Sequence, residues 1–311
     1  GANGTVAIGY AAGAAITTAT GTTLLGYSAG DAITTGNNNT AIGRHALGTE
    51  DTNAENTAVG FETLKTQNGA DGNTAVGFKA GLDLTTGASN VFVGALTAEN
   101  VVGGTDNVII GKAAGGTTTD VDKTVLIGRS AGASGDMTSA ADGAVAIGYE
   151  SLKALTTGTE NVAVGFKSGL ATNTGDRNVY IGDTAAIAGT DASYNTVVGY
   201  QALQTNVDGN YNVAVGYKSM EDFEPANDAG YNTAVGATSM KNSTTTSGSV
   251  AIGYGAMGEG TTTGDFNIAI GYLAGEDLTS ATNDVLIGKS AGGTLNVGGD
   301  NIAIGENALS S

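Results

Sequence analysis

The chain has 311 residues, of which 52 are Gly and only one is Pro, and it contains neither Cys nor Trp. Thirty acidic residues against twelve Lys and Arg give a formal net charge of −18, and such an acidic surface repels the phosphates of nucleic acid. Because no apolar run approaches about 18 residues, the sequence predicts no membrane insertion. Without Cys there is no disulfide framework.

The dominant feature is a motif, N-[TV]-A-[VI]-G-[YF]-x-[AS]-[LG], that recurs eighteen times. Its Gly recurs every 17 residues, except for two spacings of 20, at 128–148 and 216–236, and one of 18, at 253–271. In chain order, the repeat glycines are Gly9, Gly26, Gly43, Gly60, Gly77, Gly94, Gly111, Gly128, Gly148, Gly165, Gly182, Gly199, Gly216, Gly236, Gly253, Gly271, Gly288 and Gly305.

Each copy predicts one short strand directly before its Gly. The residues one and three positions before the Gly are Val, Ile, Leu or Thr in every copy, and this alternation is typical of a strand with one buried face. The intervening residue, usually Ala, is predicted to point outward or into a close contact. The predicted repeat core is Ile8, Val59, Val76, Ile147, Val164, Ile181, Val215, Ile252 and Ile304.

The flanking positions predict corners. Asn stands four residues before the Gly in twelve copies and marks a turn, because Asn tolerates left-handed backbone and bonds nearby backbone groups. The Gly itself is expected at a positive-φ corner or a close backbone pass. A small residue three positions after the Gly, such as Ala80 or Ser168, indicates a second close approach.

These patterns predict an all-β fold, a parallel β-solenoid of about 18 coils with one coil per repeat. A 17-residue unit is too short for a helical repeat or a propeller blade. Residues 1–311 are interpreted as one continuous repeat domain and as a segment of a longer fibre. The two long spacings predict loops at 133–144 and 221–231, and the second contains Pro225.

Copies such as Asn-Thr-Ala-Val-Gly-Phe at 73–78 and Val-Ala-Ile-Gly-Tyr at 145–149 and 250–254 resemble the head repeats of YadA-like trimeric autotransporter adhesins, and similar repeats occur in phage tail fibres. The resemblance covers essentially the whole chain, although this unit is longer than the adhesin head repeat. It implies a left-handed parallel β-roll, a homotrimer, and an extracellular location on a virion or a bacterial surface.

An aromatic residue follows the Gly in ten copies, and stacking of the coils turns these positions into a ladder. The ladder is interpreted either as packing between chains or coils, or as a surface that binds a glycan or a receptor. Its members are Tyr10, Tyr27, Phe61, Phe78, Tyr149, Phe166, Tyr200, Tyr217, Tyr254 and Tyr272.

Acidic and Asn-rich turns recur, at Asp106–Asn107, Asp176, Asp208, Asp265 and 300–301. Their oxygens are of the kind that bind Ca²⁺, but solvated turns explain them as well. A broken Thr column that includes Thr17, Thr34 and Thr85 is likewise compatible with ice binding or with ordinary turn chemistry. No organic cofactor is predicted.

Catalysis has little support in the sequence. The only histidine, His45, is assigned to the aromatic position of its coil, and the one dense carboxylate group is Glu221, Asp222 and Glu224. The predicted function is therefore a non-enzymatic fibre segment with a host-cell receptor or glycan and adjoining fibre domains as partners. An adhesin head and a glycan-degrading tailspike, which would need paired carboxylates, are the alternatives.

Overall fold

The computed structural model describes residues 3–49, 51–223 and 230–310. The predicted positions of Glu224 and Pro225 in the second loop lie outside the described residues. The chain divides into two compact units, residues 1–159 and 160–311, and both have the same architecture. The interpretation of residues 1–311 as one continuous domain remains a prediction.

Each unit contains nine strands of three residues, and every strand ends at the residue before a repeat Gly. The strands of the first unit are β1 Val6–Ile8, β2 Thr23–Leu25, β3 Thr40–Ile42, β4 Thr57–Val59, β5 Thr74–Val76, β6 Val91–Val93, β7 Val108–Ile110, β8 Val125–Ile127 and β9 Val145–Ile147. Those of the second unit are β10 Val162–Val164, β11 Val179–Ile181, β12 Thr196–Val198, β13 Val213–Val215, β14 Thr233–Val235, β15 Val250–Ile252, β16 Ile268–Ile270, β17 Val285–Ile287 and β18 Ile302–Ile304.

Within each unit, consecutive strands pair in parallel with equivalent repeat positions side by side. Val179 lies beside Thr196, and Ile181 lies beside Val198. The register survives the long spacing in the first unit, where Val125 still pairs with Val145 and the extra residues include a 3₁₀ turn at Ser139–Ala141. The predicted all-β parallel solenoid with a 17-residue coil is therefore confirmed.

The inward face of the strands was assigned wrongly from the sequence. The middle residue of each strand from β2 to β18 is the buried one, and Ala214 has no exposed surface. The predicted core residues Ile8, Val76, Ile181, Ile252 and Ile304 are exposed, and Val59, Ile147, Val164 and Val215 are half-buried. The reason is steric, because a 17-residue coil leaves little room inside and Ala fits there better than a β-branched pair.

The interior is filled by two columns of side chains, the middle residues of the strands and the residues four positions after the repeat glycines. Where a residue of one column is large, its neighbours in the other are small. A Leu, Ile, Phe or Tyr in the middle of a strand is matched by Gly or Ala four positions after the repeat Gly, in its own coil and in the preceding one. Leu24 faces Gly13 and Gly30 in this way, since a β-carbon on either glycine would lie within 2.8 Å of the Leu24 side chain. Where the strand carries Ala41 or Ala58 instead, Leu47 or Leu64 fills the space. The core is thus close-packed although most of its strand residues are small.

The corners follow the prediction in part. All eighteen repeat glycines have positive φ, between 127° and 146°. At Gly199, a β-carbon would overlap the carbonyl oxygen of Gly216 in the next coil. The predicted close pass between the backbones of neighbouring coils is therefore present. The left-handed corner before the strand, however, lies one residue before the Asn, as at Tyr194 with φ of 60°. The predicted close approach after the Gly is also present, because Ala80 and Ser168 are buried.

Candidate interaction surface

The outward side of each sheet is an apolar surface, which we call the strand face. It consists of the residues three before, one before and one after each repeat Gly. The first two positions form the aliphatic columns, which contain only Val, Ile, Leu and Thr in all eighteen coils. These residues are half-buried or exposed, and Ile181 retains 41% of its accessible surface. A continuous apolar sheet face of this kind is a mark of an interaction surface.

The third position carries the aromatic ladder, and the structure brings its neighbouring rings together. Ring centroids lie 5.1 Å apart in Tyr10–Tyr27, 5.3 Å in Phe61–Phe78, 5.5 Å in Tyr200–Tyr217 and 5.3 Å in Tyr254–Tyr272, all in stacked geometry. Stacking covers the facing sides of each pair, while the rings keep about half of their accessible surface, as in Tyr200 at 45% and Tyr217 at 52%. The structure thus places these residues in one exposed row of stacked rings, as the sequence predicts.

Cationic side chains lie over the rings at the edge of the strand face. The guanidinium of Arg44 lies 5.8 Å from the ring centre of Tyr27 and 5.7 Å from that of Phe61. Arg129 lies over Tyr149, and Lys218 over Tyr217. Cations at such distances are attracted to the negative ring face. Arg44 and Arg129 also occupy the ladder position itself, in coils that lack an aromatic residue there.

Charge is distributed unevenly between the strand face and the rest of each coil. The strand face and its edges comprise the positions one and three residues before the repeat Gly, the ladder position one residue after it, and the flanking positions five residues before and two residues after it. These positions carry nine of the twelve Lys and Arg residues but only eight of the thirty acidic residues. The remaining 22 acidic residues are accompanied by just three lysines, Lys65, Lys153 and Lys241. The strand face and its edges are therefore nearly neutral, and the negative charge lies elsewhere on the coils.

Ion pairs beside the strand face are local. The ammonium of Lys65 lies 2.9 Å from Glu62, and its hydrogen bond is the main reason why the pKa of the Glu62 carboxyl is lowered. Elsewhere, acidic groups accumulate without cations. The pKa of Glu276 is raised by partial burial and by the neighbouring carboxylates of Asp277 and Glu259.

The structure contains a second group of stacked rings, which the repeat motif does not include and which we call the tyrosine stack. Tyr194, Tyr211 and Tyr231 lie five residues before successive repeat glycines, and their ring centroids are 4.7 Å and 4.9 Å apart. Arg177 in the preceding coil donates a hydrogen bond of 2.8 Å to the Tyr194 hydroxyl. The signal was present in the sequence, because Tyr recurs in this column in three consecutive coils and nowhere else.

A buried ladder of Asn side chains holds the strand face in place. Asn195 accepts a hydrogen bond from the backbone N–H of Asn212 at 2.8 Å and donates one to the carbonyl of Gly209 at 2.9 Å. Equivalent bonds are made by Asn267, whose amide donates to Ala281 at 2.7 Å. The ladder satisfies backbone groups inside the coil that water cannot reach.

Asp284 occupies one position of this ladder and fits it poorly. It has no exposed surface, and its Oδ1 accepts bonds from the backbone and side chain of Asn301 at 2.8 Å and 3.0 Å. Its Oδ2 has no hydrogen-bond partner among the described residues. In other ladder members, the side-chain amide at this point donates to the backbone carbonyl fourteen residues later. An Asn at position 284 would place the same donor there.

We therefore expect Asp284→Asn to stabilise the protein by about 1–3 kcal/mol, because a buried acceptor without a partner is replaced by a donor. Urea unfolding followed by circular dichroism measures the change. The control is Asp265→Asn, which removes the same charge at a partly exposed turn whose Oδ1 accepts from the backbone of Ser247. A loss of stability in Asp284→Asn would show that the carboxylate has a partner in solution.

The structure assigns hydrogen bonds within the fold to several other candidates. The hydroxyl groups of Thr17 and Thr85 donate to carbonyls of the next coil at 3.0 Å, which is turn chemistry. Among the turns considered for Ca²⁺, Asn107 belongs to the buried ladder and Asp265 caps a backbone amide. In the carboxylate group, Glu221 pairs with Lys218 at 2.7 Å.

The assignment of His45 to the aromatic position was wrong. Arg44 occupies that position, and His45 follows it in left-handed conformation, with its ring nearly perpendicular to that of Tyr27. Within residues 3–49, 51–223 and 230–310, no three Asp, Glu or His side chains gather as a metal site would require. Over the same ranges, no helix is long and apolar enough to cross a membrane.

The fold and the surface together define a parallel β-solenoid repeat protein whose strand face is apolar and nearly neutral in each unit. No protein-family model matches the chain, and no curated protein matches its sequence. The resemblance to adhesin head repeats and tail-fibre repeats therefore rests on the motif alone.

Proposed function

We propose that the chain is a structural and attachment segment of an extracellular fibre, in which three copies associate side by side through their strand faces. The observation that carries this proposal is the strand face itself. Its aliphatic columns have no charged residue in eighteen coils and remain half-exposed in the single chain. Apolar residues of this kind are stabilised when a partner removes them from water.

The size of the strand face suits a stable interface. Three outward positions in each of nine coils give 27 residues in each unit, and a stable interface uses roughly 20–30 residues on each side. The charge distribution supports the same arrangement, since interface centres are depleted of charged residues. Three copies in contact through nearly neutral faces would keep their acidic surfaces apart.

The resemblance to trimeric adhesin heads and phage tail fibres supports a homotrimer displayed on a virion or on a bacterial surface. In this proposal the chain is not an enzyme, and it spaces or presents a receptor-binding part of the fibre. The partners are adjoining fibre domains and a receptor or glycan on the host cell. No contact with nucleic acid or membrane is part of the proposal, and the net charge of −18 agrees with that.

The test is the native mass by light scattering, compared with the 30.4 kDa of one chain. We expect three times that mass for the unmodified protein. In Ile181→Asp, a folded chain of single mass is expected, because the new carboxylate reaches water in a lone chain but is buried in the trimer. Burial of unpaired charge weakens association by about 3–5 kcal/mol per chain.

The matched control is Ser280→Asp, an exposed position where other coils carry Asp120, Asp191 and Asp208. It adds the same charge away from the strand face and should leave the trimer intact. A folded wild-type protein of single mass would overturn the proposal. A trimeric Ile181→Asp variant would show that the copies associate through a different surface.

A further inference from the structure

The tyrosine stack has the closest and most parallel Tyr–Tyr contacts described in the chain. The rings of Tyr194 and Tyr211 are inclined by 3°, and those of Tyr211 and Tyr231 by 6°. The other stacked tyrosine pairs lie 5.1–5.5 Å apart and are inclined by 9–18°. Tyr211 is the central member and contacts a phenol ring on each side.

The backbone holds these rings in place. The three tyrosines have φ values of 60°, 59° and 61°, a region that bulky side chains enter at a cost in energy. The amide of Tyr211 donates to the carbonyl of Ser193, and that of Tyr231 donates to Asn210, both at 3.1 Å. Three consecutive coils thus carry a tyrosine five residues before the repeat Gly, a position that other coils fill mainly with Gly, Asn or charged residues.

The composition directs oxidation to tyrosine. The chain has no Cys and no Trp, and its four methionines, Met137, Met220, Met240 and Met257, are fully buried. Oxidation of sulfur side chains follows their exposure. Tyr194, Tyr211 and Tyr231 retain 40%, 45% and 64% of their accessible surface. An oxidant in solution therefore meets exposed phenol rings first.

We propose that the tyrosine stack is an oxidative cross-linking site, at which a peroxide-dependent haem peroxidase joins neighbouring rings of one chain as dityrosine. Each of two phenols loses one electron and its hydroxyl proton. The two phenoxyl radicals then form a carbon–carbon bond between ring positions ortho to the hydroxyl groups, and the hydrogen on each of these carbons moves to the adjacent oxygen. One hydrogen peroxide accepts the two electrons and two protons and leaves as two waters.

Preorganisation makes this stack the favoured site. Two reactants held in contact react as if at very high concentration, so coupling outcompetes encounters between separate chains. An oxidised Tyr211 has a partner on both sides, whereas the other tyrosine pairs offer one. The cross-link joins coils within one chain and so does not depend on the oligomeric state. It would prevent neighbouring coils from separating, including the long coil between Gly216 and Gly236.

The experiment treats the intact protein with a haem peroxidase and limiting hydrogen peroxide, followed by trypsin digestion and mass spectrometry. A link between Tyr211 and Tyr231 joins the tryptic peptides 178–218 and 219–241, and the mass falls by two hydrogens. Tyr231 is the only tyrosine of the second peptide, so the joined product identifies it. Mixing isotopically labelled and unlabelled protein distinguishes links within a chain from links between chains.

We expect the joined peptide from the unmodified protein, with both halves carrying the same label. Tyr211→Phe, which retains the ring stack but lacks the phenol, should abolish the joined peptide. Tyr217→Phe, in the same coil but in the aromatic ladder, should leave it unchanged. The proposal is overturned if the joined peptide persists in Tyr211→Phe, if its halves carry mixed labels, or if only other tyrosine pairs are linked.

Discussion

Replacement of Gly199 by Ala is expected to destabilise the protein by about 3–5 kcal/mol, a size that is exceptional for a single substitution. The added β-carbon would overlap the carbonyl oxygen of Gly216, which is backbone and cannot rotate away. The φ of 145° is also one that Ala adopts only with strain. Relief requires the two coils to move apart, which breaks the hydrogen bond from Gly216 N to Val198 O. Urea unfolding followed by circular dichroism measures the loss.

Gly293→Ala is the matched control in the same unit. Its nearest neighbour would be the carbonyl oxygen of Ser290 at 3.4 Å, an ordinary contact. We expect no loss of stability and a small gain, since Ala restricts the unfolded chain more than Gly does. Equal effects of the two substitutions would mean that the repeat Gly column is not a close backbone pass in solution.

Asn195→Ala is expected to cost about 2–4 kcal/mol, because one buried backbone group loses its partner and a second, which keeps its bond from Asn206, loses one of its two donors. These groups are the N–H of Asn212 and the carbonyl of Gly209. Asn195 itself has no exposed surface, so solvent cannot replace its side chain. The same unfolding measurement reports the change in free energy.

Asn195→Ser separates the two contributions. Ser249 occupies the same ladder position in another coil, and its hydroxyl accepts from the N–H of Asn267 at 3.0 Å. A Ser at position 195 should therefore restore the partner of Asn212 and leave the Gly209 carbonyl with the bond from Asn206 alone. We expect a loss between zero and that of Asn195→Ala. Equal losses for Ser and Ala would locate the whole effect at Gly209.

Much of the fold could be predicted from eighteen copies in one register. The strand positions, the 17-residue coil and the close pass at Gly199 all recur in sequence, and the structure has them where they were expected. The corner was displaced by one residue, because the ladder uses Asn195 inside the coil and leaves the left-handed conformation to Tyr194.

The candidate surface could be predicted only in part. The aromatic ladder was visible because its residues directly follow the motif Gly. The tyrosine stack was not, since it occupies three coils of a column that elsewhere carries no fixed residue type. Tyr194 and Tyr231 are 37 positions apart, and only stacking of the coils brings them to either side of Tyr211.

The sequence by itself determined the repeat length, the strand positions and the absence of charge from the aliphatic columns, because these depend on local periodicity. Only the tertiary structure decided which side of the strand faces the core. The alternation of residue types distinguishes the two faces of a strand but does not show which of them is buried. The β-branched residues, such as Ile181 and Val198, were assigned to the inside. The narrow coil instead admits Ala214 or a single bulky residue such as Leu24 opposite Gly30. The aliphatic columns were thereby placed on the surface, where they became the proposed interface.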